Sequence, residues 1–167
     1  MSVEMYLKMD EVTGESRNYS YKGWSDVLSW HWELLSNRGS PQAGDNGETS
    51  FGEISITKHI GTDSAAIMLL YAQGKIIQYA DLNIIPTVGK REAKQKYLSM
   101  RMEDVLVKSI ITGGNTSETH FNENIVLSFN RIRFEYNFHA ASSPGEDDAG
   151  SVDYQFAWDI AQNKQWQ

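Results

Sequence analysis

Arg131-Ile132-Arg133-Phe134-Glu135-Tyr136-Asn137-Phe138 alternates polar and apolar residues without interruption. Successive side chains of a strand point to opposite faces, so this stretch makes a strand with one face for a core and one for water. The segment Gly23-Trp24-Ser25-Asp26-Val27-Leu28-Ser29-Trp30-His31-Trp32 is its upstream counterpart, with His31 facing away from Trp30 and Trp32. Met5-Tyr6-Leu7-Lys8-Met9, Gly52 to Lys58 and Tyr154 to Ile160 repeat the same period. The expected fold is mainly β, a barrel or sandwich.

Size and charge narrow the function classes. A chain of 167 residues suits a single domain spanning 1–167 with a self-sufficient core. With no cysteine, disulfides, thiolate metal sites and cysteine nucleophiles are excluded. A net charge of −7, from 15 basic and 22 acidic residues, argues against a nucleic-acid partner, which needs many Lys and Arg contacts to phosphate. No apolar run approaches the ~20 residues of a membrane helix, so no membrane insertion is expected. Met1-Ser2-Val3-Glu4 leads directly into a strand with no secretory leader, so export would require dedicated machinery.

Along the chain, Thr13-Gly14-Glu15-Ser16 supplies a turn, and the Trp-rich segment after it reads as the second half of a first hairpin. Ser36 to Ser50 lacks large apolar residues and reads as a long exposed loop. Asp63-Ser64 are good helix N-cap residues, and Gly74-Lys75 a good stop, so one short flanking α-helix is expected over Ala65 to Gln73. Ile67, Leu70 and Tyr71 fall at helical spacing toward a core, yet Met68, Leu69 and Ala72 occupy the flank that a surface helix makes polar. That helix should be covered on more than one side, by this chain or by a neighbouring subunit. Further strands are expected over Gln78 to Ile85, Tyr97 to Met102, Asp104 to Ile111, and Ile125 to Phe138 with a bend near Phe129-Asn130. Val88 to Lys96, Thr112 to Asn124 and Ala140 to Val152 read as loops.

The chemistry-bearing residues do not assemble into a known catalytic pattern. His31, His59, His120 and His139 have neither His-Glu-x-x-His nor His-x-His spacing. Glu103-Asp104 is a poor acid/base pair, because adjacent strand residues face opposite ways; Glu53 with Asp63 carries no stronger signal. Glu146-Asp147-Asp148 lacks the other ligands of a calcium loop, and Thr112-Gly113-Gly114-Asn115 lacks the Gly-Lys-Ser/Thr ending of a phosphate loop. Asn115-Thr116-Ser117 matches a glycosylation triplet without a secretory context. Lys90, Arg91, Lys94 and Lys96 make one basic run, read as a solvated hairpin tip. No metal, cofactor or catalytic residue is expected.

Met5 to Met9 followed by Gly14-Glu15-Ser16, Gly23-Trp24, Val27-Leu28-Ser29-Trp30-His31-Trp32, Ile56-Thr57-Lys58 with Ser64, Gly74-Lys75, Tyr97-Leu98, Met102 to Val107, Val126 to Phe129, Ile132 to Tyr136 and Trp158-Asp159-Ile160 stand in this order. In that order they resemble the haemolysin-coregulated protein (Hcp) family, the tube subunits of bacterial type VI secretion systems. Two positions depart from its pattern: Glu33 stands where the family usually has Gly, and Gly61 where it usually has Asp in a Lys-x-x-Asp stretch.

The resemblance implies a compact β-barrel or sandwich of two antiparallel sheets with one short flanking α-helix, and a structural protein, not an enzyme. It implies a homo-hexameric ring that stacks into a tube, works with the sheath and spike, carries effector proteins, and passes from the cytoplasm out through the type VI apparatus without a signal peptide. On that basis Ala65, Met68, Leu69 and Ala72 are the expected lateral contacts. Arg38, Gly39, Gln42, Asp45 and Asn46, in the Ser36 to Ser50 loop, are the expected stacking contacts. The polar residues Arg131, Arg133, Glu135 and Asn137 either line a lumen or meet solvent. Rival readings are a monomeric small-ligand barrel with its mouth at Trp30 and Trp32, and a carboxylate hydrolase.

Overall fold

The computed structural model describes residues 2–36, 49–87, 97–137 and 153–167. In chain order these form β1 (Val3–Met9), a 3-10 turn (Tyr19–Tyr21), β2 (Ser25–Asp26), β3 (Ser29–Ser36), β4 (Thr49–His59), α1 (Ser64–Gln73), β5 (Ile76–Pro86), β6 (Leu98–Gly113), β7 (Asn122–Ser128), β8 (Arg131–Asn137), β9 (Asp153–Asp159) and β10 (Lys164–Gln165). All strand pairs are antiparallel.

The larger sheet runs β10-β9-β8-β6-β5-β1-β2, and the smaller one is β3-β4-β7 against the second half of β6. β6 therefore belongs to both: Leu98 to Glu103 pairs with β8, whereas Leu106 to Gly113 pairs with β7. The two strands expected at Tyr97–Met102 and Asp104–Ile111 are one strand, bent at Asp104, whose φ of 53 lies in the left-handed region. The inward-facing set shifts there from Leu98, Met100 and Met102 to Val105 and Val107, so the alternation changes phase without the strand ending.

The expected first hairpin is also different. β2 pairs with β1 over two residues only, and the chain then crosses to the other sheet: the Val27 N–H donates to Met5 O (2.9 Å) and the Leu28 N–H to Thr57 O (2.8 Å). The two sheets meet at this crossing and at the bend in β6. Among the described residues they are not closed by a continuous ladder, so the architecture is a sandwich.

The core fills the space between the sheets. Leu7, Ile54, Ile56, Leu82, Met100, Met102, Ile125 and Leu127 are all buried there, with Phe134 and Tyr136 of the alternating β8 packed against them. α1 adds Ile67 and Leu70 to the same cluster and packs on β6. A second small cluster sits on the outer face of β1 and β5, where Tyr6 stacks on Tyr21 with centroids 4.3 Å apart and Trp24 meets Tyr21 edge-on. Among the described residues, no helix is long and apolar enough to cross a membrane.

Candidate functional site

The orientation of α1 is fixed at both ends. At its start Lys58 Nζ, 2 % exposed, lies 2.9 Å from Asp63 Oδ1, 2.7 Å from Glu123 Oε1 and 2.7 Å from the His59 carbonyl oxygen. The Ser25 hydroxyl donates to Asp63, and the Ser64 hydroxyl donates to Glu123 (3.0 Å). One buried cation thus ties the helix to β2, β4 and β7. Asp63 is the N-cap by position, yet its side chain makes no capping bond, because it is turned to Lys58. At the other end Gly74 is left-handed (φ 59), and its N–H reaches Tyr71 O while the Lys75 N–H reaches Leu70 O. This satisfies orphan carbonyls and ends the helix where glycine was expected to end it.

Held this way, α1 turns Ser64, Ile67 and Leu70 inward and leaves Ala65, Met68, Leu69 and Ala72 outward. These four residues share one face at i, i+3, i+4 and i+7 spacing. Met68 is 42 % exposed and Leu69 57 %, so the other described residues leave that stripe largely uncovered. Tyr71, expected on the core side, is exposed as well.

A second apolar surface escaped the sequence reading. β3 pairs with β4 alone, and Asp153 to Phe156 of β9 pair with β8 alone, among the described residues. Phe51 of β4, the strand that carries β3, stacks on Phe156 (6.3 Å) and Trp158 (5.9 Å) of β9. Its cross-strand partner Leu34 and nearby Tyr154 are more than half exposed. Glu33 sits at an irregularity in the β3–β4 register between Trp32 and Leu34. Gly52 lies against the Glu33 carbonyl there, leaving no room for a Cβ, so the glycine that the bulge needs stands on the facing strand.

The polar face of β8 lies on the outside of the larger sheet. Arg131 pairs with Glu103 (3.6 Å) and Asp104 (3.1 Å), and Arg101 pairs with Asp81 (2.7 Å). Glu103 and Asp104 thus reach the same guanidinium, contrary to the expectation that they diverge; the positive φ of Asp104 breaks the alternation. Both Arg131 and Arg133 lie under the Trp166 ring, at 5.6 and 4.5 Å from its centroid. Glu135 is exposed and takes a hydrogen bond from Ser99, 3.4 Å away. Arg133 and Glu135 help line an open concavity of ≈ 560 Å³, walled by Tyr21 and Trp24 with Asp81 and Arg101 on its floor. Burial raises the Tyr21 phenol above its ordinary value, although its hydrogen bond to Asn83 lowers it.

The remaining sequence candidates are dispersed. Trp30 and Trp32 pack against the core, with the Trp32 indole N–H on Gly52 O (3.0 Å), so they form no barrel mouth. Glu53 pairs with Lys108, far from the buried Asp63. Asn115 accepts the Ser117 N–H (3.0 Å), which makes this stretch a turn. Arg38, Gly39, Gln42, Asp45 and Asn46 lie outside the described residues, as do Lys90, Arg91, Lys94, Lys96, His139 and Glu146 to Asp148.

Three comparisons bear on this arrangement. The sequence model of a family described as "Type VI secretion system effector, Hcp" matches residues 6–136. Protein hcp1 of Pseudomonas aeruginosa is 33% identical over 167 residues, covering 99% of each chain. Among solved structures, Hcp1 from Salmonella typhimurium is similar with a TM-score of 0.77 at 23% identity, covering 99% of this chain and 100% of that one. A type six secretion system protein is similar with a TM-score of 0.83 at 20% identity over the same shares. The last two likenesses show a common fold.

Proposed function

The chain belongs to the Hcp family of secreted type VI secretion proteins, and from that premise we propose that it is a tube subunit: six copies close into a ring, and rings stack. The observation that carries this reading is the exposed stripe Ala65, Met68, Leu69 and Ala72 on a helix whose opposite side is already in the core. A helix apolar on both sides is stable in water only when both are covered. The open edges of β3 and β9 add a second unsatisfied surface, and edge strands of this kind invite pairing unless an assembly closes them. Ring closure with identical subunits covers both at once.

In this reading the stacking contacts come from Arg38, Gly39, Gln42, Asp45 and Asn46, and Arg131, Arg133, Glu135 and Asn137 give a polar wall to lumen or solvent. The sheath, spike and effector proteins are its partners. Its role asks for contacts and a channel, not for catalysis, and Asp81, Glu103 and Asp104 of the larger sheet's outer face are engaged with arginines. Native mass spectrometry combined with negative-stain microscopy tests it: six-subunit particles with a central hole are expected. Compact monomers at every concentration would refute it.

A further inference from the structure

The β4–β7 ladder brings together two histidines that their sequence spacing gave no reason to pair. His59 is the last residue of β4, and His120 stands two positions before β7. Their rings lie 5.0 Å apart at 36° to one another, and both side chains are exposed. The backbone on either side is fixed: His59 is the register partner of Asn122, and the Ile60 N–H donates to Phe121 O (2.8 Å).

Each ring also has its Nδ1 engaged. His59 Nδ1 is 3.0 Å from Asn122 Oδ1, and His120 Nδ1 is 3.1 Å from Thr119 Oγ1. A carboxamide oxygen accepts and cannot donate, so facing Asn122 Oδ1 a neutral His59 carries its proton on Nδ1 and keeps its lone pair on Nε2. The Thr119 hydroxyl oxygen can accept from His120 in the same way. An outer partner on one ring nitrogen is what orients metal-ligating histidines and fixes their tautomer. We propose that His59 and His120 form a two-imidazole chelate for a divalent transition-metal ion, bound through their Nε2 atoms, with water in the other coordination positions.

The donor set selects the ion. Neutral imidazoles suit Cu²⁺, Ni²⁺ and Zn²⁺, with Cu²⁺ held most tightly, and offer little to Mg²⁺ or Ca²⁺, which take oxygen ligands. Among the described residues no group of three or more His, Cys, Asp or Glu gathers anywhere, so this is an open site and not a closed structural one. An ion held there would tie the β6–β7 connection to the end of β4.

Titration of the full chain with CuCl₂ and ZnCl₂ by calorimetry, together with electron paramagnetic resonance of the copper form, tests the assignment. One ion per chain is expected, with two imidazole nitrogens coupled to the copper. His59→Ala and His120→Ala should each weaken binding by at least about 10-fold, the lower end of what losing even an outer-sphere partner costs, and reduce the coupling to one nitrogen. His31→Ala, at another exposed histidine, should leave both readouts unchanged. A two-nitrogen spectrum or unaltered affinity surviving either substitution would overturn the site.

Discussion

Lys58 and Glu123 occupy the inward phase of their strands, Lys58 following Ile54 and Ile56, and Glu123 preceding Ile125 and Leu127. They are also directly opposite in the β4–β7 register. A charge at a core position of each of two strands was therefore readable as a buried pair, had their antiparallel register been known. What no spacing could supply is Asp63, which reaches the same ammonium from the helix start. One cation between two buried carboxylates is held by mutual attraction in a buried site, and removing it leaves both anions uncompensated. Lys58→Met should lower stability by about 3–5 kcal/mol, measured as a fall in the urea midpoint at constant slope. A change within error would show that the carboxylates find other partners. Tyr6 gives a second test at this scale. Burial pushes its phenol up to about 12; its hydrogen bond from Asn18 lowers it, and donation to Glu4 Oε2 (2.9 Å) raises it again. The folded value lies above the ordinary tyrosine value of 10.0, so the protonated phenol favours the fold up to that pH, and the stabilisation is lost as pH rises from 10 to about 12. An absorbance titration of the phenolates should show a late component that Tyr6→Phe removes. Persistence of that component in the variant would place it elsewhere.

Among the elements, β8 was legible outright: its unbroken alternation put Ile132, Phe134 and Tyr136 against the core and the arginines outside. The helix boundaries were legible too, through Asp63-Ser64 and Gly74, because caps act over one turn of local chain. β6 was not. Its phase change at Glu103-Asp104 looks like two strands in a pattern that assumes constant parity, and only a positive φ within a continuing ladder reconciles the two halves. The edges escaped for a related reason: that Phe51 of β4 meets Phe156 and Trp158 of β9 is a fact of topology, and alternation does not say which strand lies beside which. The helix stripe, by contrast, announced its surplus of apolar residues, and Ile67 and Leu70 are inward as read, whereas Tyr71 is not. That surplus yields a prediction: Met68→Asp places an unpaired charge on the face we assign to a neighbouring subunit, while touching none of the buried residues Ser64, Ile67 and Leu70. Light scattering behind size exclusion should show a shift from ring to smaller species, with the urea midpoint of the dissociated chain nearly unchanged. A variant that elutes as the intact ring would remove this helix from the lateral contact.

At the scale of the whole molecule, the decisive quantities are net charge and the kind of surface left open. Each chain carries −7, so six copies at −7 bring −42 into one proposed ring, and two stacked rings repel at low ionic strength. Against this stand surfaces whose exposed large residues are apolar: Met68 and Leu69 on the helix, with Leu34, Tyr154 and Phe156 along the strand edges. Apolar burial does not weaken as salt is added, whereas repulsion between exposed charges is screened, with a Debye length falling from about 30 Å at 0.01 M to about 8 Å at 0.15 M. The two terms therefore respond to salt in opposite senses from an assembly held by complementary ion pairs. Raising NaCl from about 0.01 M to about 0.5 M should leave single rings intact and increase the share of stacked ones, as counted by sedimentation velocity or negative-stain microscopy. Stacks that dissolve as salt rises would show that opposite charges across the ring faces hold them. Within the proposed stacking loop the contact would then be carried by charge, by Arg38 and Asp45 among its three charged residues Arg38, Asp45 and Glu48, with reversal of either Arg38 or Asp45 expected to separate the rings.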